Sequence, residues 1–150
     1  ERQYERMKGG SRGAVMVVPV HEGKLLLAKE YAAGTDSYEL GFPKGLIDPD
    51  EEAIEAANRE LQEEIGFGSK KLTHLKTLSL APGYFSSKMH IFIAEDLYTS
   101  ELAGDEPEPI IVVPWALDDW QSLLGHADFT ESRSVSALFL AQLFLAQSTE

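Results

Sequence analysis

A chain of 150 residues, 43% of them hydrophobic, is long enough to bury roughly two-thirds of its unfolded surface around one core, so a single domain over 1–150 is expected. Its net charge of −12, from 25 acidic against 13 basic residues, argues against a grip on polymeric DNA or RNA, which depends on Lys and Arg neutralising phosphates. With no cysteine, disulfides, zinc–thiolate sites and thiol nucleophiles are excluded, and no long apolar run or basic-then-apolar leader marks a membrane span or a secretion signal, so the cytoplasm is the expected compartment.

In chain order, the opening "ERQYERMKGG" has no initiating Met and is read as the end of a strand that belongs to a longer N-terminal part. "GAVMVVPV" and "KLLLAKEY", separated by the turn-like "HEG", read as adjacent strands rich in branched residues, and "SYELGFP" as a third, shorter one. The period then changes: Ala53, Ile54, Ala57, Leu61 and Ile65 recur at three- and four-residue spacing and predict one apolar helical face. Asp48, Pro49 and Glu51 resemble a cap, a first-turn proline and a capping-box acid, although the start fits equally a few residues later; Gly66 suits the stop. Strands are expected at about 71–80, 88–97 and 110–114, the first two joined by "APGYFSS" and the last preceded by the acidic loop "TSELAGDEPEP". Two helical patterns close the chain, "WALDDWQSLLG" and "ESRSVSALFLAQLFLAQ", the latter apolar enough to pack against a sheet or a partner. The sum is an α/β arrangement, a mixed β-sheet covered by helices, with no internal repeat or low-complexity linker.

The predicted helix carries an unusual load. At about 100° per residue, Glu60, Glu63 and Glu64 fall within roughly 100° of arc, with Glu64 beside the apolar face. Carboxylates so placed must protonate, pair or bind a cation; a solvated acidic stripe is the alternative, and it suits Glu52 and Glu55. Oxygen donors without His or Cys select a hard cation, Mg²⁺ or Mn²⁺, of the kind that bridges to substrate phosphates.

From Gly45, five residues lead to Glu51 and seven more to Arg59-Glu60-Leu61, followed by Gln62, Glu63-Glu64, Ile65, Gly66 and Phe67. This resembles a complete Nudix box, G-x5-E-x7-R-E-U-x-E-E-x-G-U, with every fixed position filled. The resemblance implies a helix–sheet–helix (α/β/α) sandwich that hydrolyses a nucleoside diphosphate linked to another moiety, with divalent metal held by the box. Pro82, sixteen residues after Gly66, is where ADP-ribose pyrophosphatases of this family carry a proline. The implied substrates are ADP-linked small molecules, ADP-ribose, NADH and short diadenosine polyphosphates, with AMP and a phosphorylated remainder as products. Three positions depart from that branch: "GFPKG" resembles some dinucleoside polyphosphate hydrolases, Ala32 stands where an arginine is common, and Ala81 replaces a serine before Pro-Gly. The alternatives are therefore a dinucleoside polyphosphate hydrolase, or a sensor that binds ADP-ribose or NAD without cleaving it; sensors usually lose box acids, and here Glu60, Glu63 and Glu64 are all present.

The resemblance also implies roles. Glu60 and Glu64 would ligate the metal, with Glu63 a further ligand or a supporting acid and the Lys44 carbonyl an additional donor. The Lys44 amine either contacts phosphate or is solvated, and Arg59 orients the box carboxylates. Glu106 in "DEPEP" is the candidate base and Glu108 a candidate extra metal ligand, against the reading of a merely solvated loop. Substrate contacts are expected from Arg6, Leu46, Pro82, Gly83, Tyr84, Ser87 and Lys88, with Phe85 and Ser86 alongside; Tyr84 and Phe85 either stack on a base or pack the loop, and Arg6 is otherwise just solvated. The four histidines, His21, His74, His90 and His126, read as structural, and a homodimer is expected through an N-terminal sheet.

Overall fold

A computed structural model describes residues 1–8 and 12–148. Among the described residues there are seven strands: β1 (Ala14–His21), β2 (Lys24–Ala32), β3 (Ser37–Gly41), β4 (Lys44–Leu46), β5 (Phe67–Ala81), β6 (Phe85–Thr99) and β7 (Ile111–Ala116). They form a mixed sheet in the order β3-β2-β1-β6-β5, with β4 paired to β1 and β7 to β2; the β1–β6 pair is parallel and the rest are antiparallel. Three helices follow in chain order, α1 (Ala53–Glu64), α2 (Trp120–Leu124) and α3 (Ser132–Gln147).

The uninterrupted apolar run of β1 has a physical reason: both faces of that strand are covered, so alternation has no polar side to show. Met16 and Val18 enter a core with α2 and α3, through Leu123, Ala137, Leu138 and Ala141. Val15 and Val17 enter a second core with α1, through Ala56, Ala57 and Leu61. Two cores on opposite faces of one sheet make the α/β/α sandwich expected from the sequence.

Several boundaries differ from expectation. Helix α1 begins at Ala53, with Glu52 as cap and Glu55 completing the capping box; Asp48 and Glu51 instead close a separate turn, in which Asp48 N donates to Glu51 Oε1 at 2.9 Å. Ile54 is 49% exposed, because the buried arc of α1 runs through Ala56, Ala57, Glu60, Leu61 and Glu64 and leaves it outside. The Gly66 stop holds, at φ 82°. Strands β5 and β6 reach further at both ends than the apolar alternation suggested, since each outer pair sets a polar or small residue against a large one: Phe67 with Thr99, Gly68 with Tyr98, Ser69 with Leu97 and Ala81 with Phe85. Trp115 and Ala116 lie in β7, opposite Leu25 and Lys24, so the expected penultimate helix shrinks to a short 3-10 turn and α2. At the N-terminus the expected strand is reduced to one parallel bridge, Met7 to Phe85; Gly9, Gly10 and Ser11 lie outside the described residues. Among the described residues no helix is long and apolar enough to cross a membrane.

Candidate active site

Alanines at 53, 56 and 57 let α1 lie close to β1 and β4, and that approach draws two glutamates of the same face into the protein: Glu60 and Glu64 are each 6% exposed. Gly45 makes room for the first of them, because a Cβ there would fall within the Glu60 carboxylate. The second accepts from the Lys44 amide through Oε2 at 3.1 Å. Burial pushes Glu60 up to about 7 against the pull of Arg59, with Glu63 and Glu106 adding to the rise. Burial likewise pushes Glu64 up to about 9, reinforced by Glu30 and opposed by Lys44. Glu63 is raised too, again chiefly by burial.

Arg59 ties the group together with every N–H it owns. Nε donates to Glu51 Oε2 at 2.8 Å, Nη2 to Glu51 Oε1 and to the Leu46 carbonyl, both at 2.9 Å, and Nη1 to Glu60 at 2.8 Å and Glu63 at 3.3 Å. The fork-on-carboxylate geometry with Glu51 holds that acid below the usual carboxylate range and the guanidinium above its own. Leu46 therefore serves the site through its backbone; its side chain is 72% exposed. The Lys44 amine pairs with Glu30 Oε1 at 2.8 Å, which engages one of its three donors. Glu30 went unnoticed in the sequence, yet a signal existed: it continues the α1-facing alternation Leu26, Ala28, Glu30 as an acid.

A cleft of about 530 Å³ opens beside these carboxylates, walled by Glu63, Glu64 and the loop from Glu101 to Ile110. Glu106 faces it with its carboxylate folded against Gly104, where a Cβ would collide with Oε2, and its charge acts on both Glu60 and Glu63. Glu108 lines the same cleft, but its Oε2 accepts a hydrogen bond from Tyr38 Oη at 2.9 Å. None of the histidines lines it; His74 and His90 share the Thr77 hydroxyl at 2.9 Å each, and His126 accepts from the Asp128 amide.

The remaining expected contacts assemble elsewhere. Arg6, Pro82, Gly83 and Tyr84 line a second cleft of about 400 Å³ at the β5–β6 turn, together with Tyr4, Phe85 and Ser86. Gly45 stands opposite Val15 and Val15 opposite His90, so the turn at Phe85 lies five residues, about 16 Å, along β6 from the level of the carboxylates. Ser87 is half-buried in β6, and the Lys88 amine donates to Ser79 Oγ at 2.7 Å.

Among the described residues no three His, Asp or Glu side chains converge tightly enough to close around one ion. The donor set nevertheless suits a hard divalent cation. It is all oxygen, it is notched into the sheet by Gly45, and the proton that burial keeps on Glu64 is what a cation would displace. Closure would require Arg59 to yield part of its hold on Glu60 and Glu63.

A helix-flanked mixed sheet with this carboxylate array on its central helix defines a class, and the family model described as "NUDIX domain" matches residues 10–139: the chain belongs to the Nudix family. It is 59% identical over 144 residues to the ADP compounds hydrolase NudE of Escherichia coli (strain K12), covering 96% of this chain and 77% of that protein. It is 31% identical over 134 residues to the ADP-ribose pyrophosphatase of Bacillus subtilis (strain 168), covering 87% and 72%. A crystal structure of an ADP compounds hydrolase superposes with a TM-score of 0.94 at 58% identity, over 98% of this chain and 80% of the other.

Proposed function

We propose that the chain is a metal-dependent hydrolase of the pyrophosphate bond in ADP-linked compounds such as ADP-ribose, NADH and short diadenosine polyphosphates, releasing AMP and a phosphorylated remainder. The observation that carries this reading is the pair of buried glutamates, Glu60 and Glu64, of which Glu64 walls a cleft that also contains Glu106, while Glu60 lies close enough to feel the Glu106 charge. Likeness to an ADP compounds hydrolase and an ADP-ribose pyrophosphatase supports the substrate class.

In this reading Glu60, Glu64 and the Lys44 carbonyl hold Mg²⁺ or Mn²⁺, with Glu63 as a further donor. A divalent ion bound there supplies positive charge to the pyrophosphate oxygens and the leaving group. Arg59 fixes the carboxylates in register with β4 through Leu46, and its anchor on Glu51 persists when its other donors are shared. Glu106 takes the proton from the attacking water, since it is the half-buried acid of the loop that faces Glu60 and Glu63. Arg6, Tyr84 and their neighbours at the β5–β6 turn bind the nucleoside end, in a homodimer whose N-terminal segments pair the subunits and help enclose the adenine. The cysteine-free composition fits action in the cytoplasm.

The test is a panel of ADP-ribose, NADH, diadenosine polyphosphates and nucleoside triphosphates, assayed with Mg²⁺ and Mn²⁺ and with product analysis. AMP is expected from the ADP-linked members. Preference for long dinucleoside polyphosphates would shift the assignment to that class of hydrolase, and binding of ADP-ribose without turnover in either metal would make the protein a sensor.

A further inference from the structure

The loop that carries Glu106 is poorly tethered by its backbone. At its start, Ser100 N donates to the Gly66 carbonyl and Leu102 N to the Gln62 carbonyl, and the Gln62 amide donates to Ser100 Oγ at 2.7 Å. At its end, Ile111 enters the sheet opposite Lys29. Residues 103–110 between these anchors lie outside any helix or strand and are mostly exposed. The Tyr38 Oη to Glu108 Oε2 hydrogen bond joins this stretch to the sheet across 70 residues of sequence.

We infer that Tyr38 is a positioning residue that acts through Glu108: it latches the 103–110 loop to β3 so that Glu106 stands over the box carboxylates. The inference rests on the proposed role of Glu106 as base.

The sheet makes the latch a fixed point. Tyr38 stands opposite Tyr31 across the β2–β3 ladder, their rings packing edge to face at 5.7 Å, and Tyr31 in turn donates to Asp36 in the β2–β3 turn. The ring that presents Oη therefore rests on a neighbour that is itself hydrogen-bonded in place. Antiparallel β7 begins opposite Lys29, and continuing that register places Glu108 near the level of Ala32, beside the strand that Tyr38 flanks. Pro107 and Pro109 bracket Glu108, limiting the backbone freedom through which a tether at Glu108 would be lost before it reached Glu106. Glu30, Tyr31, Glu106 and Glu108 wall one small cavity of about 120 Å³, so latch and base are neighbours across the same space. Glu108, expected from the sequence as an extra metal ligand, thereby has its Oε2 engaged in holding the loop.

Tyr38→Phe removes the hydroxyl and keeps the ring. Its turnover of ADP-ribose with Mg²⁺ should fall about fivefold or more, part of the roughly 10²–10⁴ that a positioned base supplies, while KM changes less than about twofold. Glu108→Ala should reproduce that fall, whereas Glu108→Gln, whose amide oxygen still accepts from Tyr38, should retain most activity. In metal-free protein, amide exchange across 103–110 should quicken in Tyr38→Phe and not elsewhere. In a Glu106→Gln background, Tyr38→Phe should cause no further loss. Wild-type turnover in Tyr38→Phe overturns the latch, as does a loss that persists undiminished beside Glu106→Gln. Loss of Mg²⁺-induced stabilisation in Glu108→Gln would return Glu108 to the metal. Unchanged turnover in Glu106→Gln alone would instead defeat the base assignment.

Discussion

The proposed function asks Glu64 to be two things: a neutral group in the metal-free protein, where burial keeps it protonated up to about 9, and a charged ligand once a cation binds. Glu64→Gln separates them. The amide has nearly the volume of the protonated acid and still accepts from the Lys44 N–H, so the metal-free variant should melt within a degree or two of the parent at pH 7. Its turnover should fall at least about a hundredfold, a loss near 2.7 kcal/mol of transition-state stabilisation. Activity within about threefold would defeat the ligand assignment. Arg59→Lys should fail differently: an ammonium has three donors where Arg59 uses five, so Glu51, Leu46, Glu60 and Glu63 cannot all stay engaged. Both turnover and melting temperature should drop, and a variant that lost activity alone would show that Arg59 meets substrate directly. The acids themselves were legible in the sequence, because the box spacing places them on one helical face and the resemblance to the Nudix box supplies their role. What spacing does not contain is the partner across the sheet; Lys44 meeting Glu30 and Tyr38 meeting Glu108 are tertiary facts.

At the level of elements, α3 shows how one polar side chain can sit in an apolar interface without penalty. Ser134 is 1% exposed; its hydroxyl accepts from the Phe42 amide at 3.2 Å, directly beneath Gly41, where any Cβ would strike it. Ser134→Ala leaves that buried N–H without its partner and should cost about 1–2 kcal/mol in urea unfolding, with turnover little changed because the lesion lies on the face of the sheet opposite α1. A loss under ~0.3 kcal/mol would mean the amide finds another acceptor. The apolar pattern made α3 readable to within a residue, but it held no sign that this serine would meet the Phe42 amide across the core. Elsewhere the pattern misled for a related reason. Asp48 and Glu51 have the composition of a helix cap, yet Glu51 is committed to Arg59, and Glu52 and Glu55 take over the capping. Trp115 and Ala116 carry helical spacing, but the open edge of β2 claims them as strand.

Across the whole molecule, opposed carboxylate shifts set a pH profile. Glu60 and Glu64 are raised by burial, so the stability they contribute is full below the ordinary carboxylate value and is lost as pH rises through about 7 and about 9. Glu51 and Glu131 are lowered; their contribution is present above the ordinary value and is lost as pH falls through their folded values. In chelator the melting temperature should peak in mildly acidic solution and decline toward pH 9, and millimolar Mg²⁺ should flatten that alkaline limb by binding the native state. An alkaline limb unaffected by Mg²⁺ or Mn²⁺ would argue against a cation at the buried pair. Light scattering should return twice the chain mass, and charge placed at the β5–β6 turn, as in Tyr84→Glu, should give monomers with weaker ADP-ribose binding. A monomeric parent would remove the shared-site arrangement. The β5–β6 hairpin that separates turn from carboxylates has fifteen-residue arms, with two slips of register between its Phe67–Thr99 end and its tip. The slip between Ser79 and Ala81 lies between the tip and the level of His90 and Val15 and absorbs distortion there, so an insertion or replacement at residues 82–84 is damped before it reaches that level. Under the proposed function, selection of substrate and its cleavage are then separately heritable: drift at the tip can change which molecule is picked up while the carboxylates on α1 stay as they were, and descendants can acquire new diets without reinventing the knife.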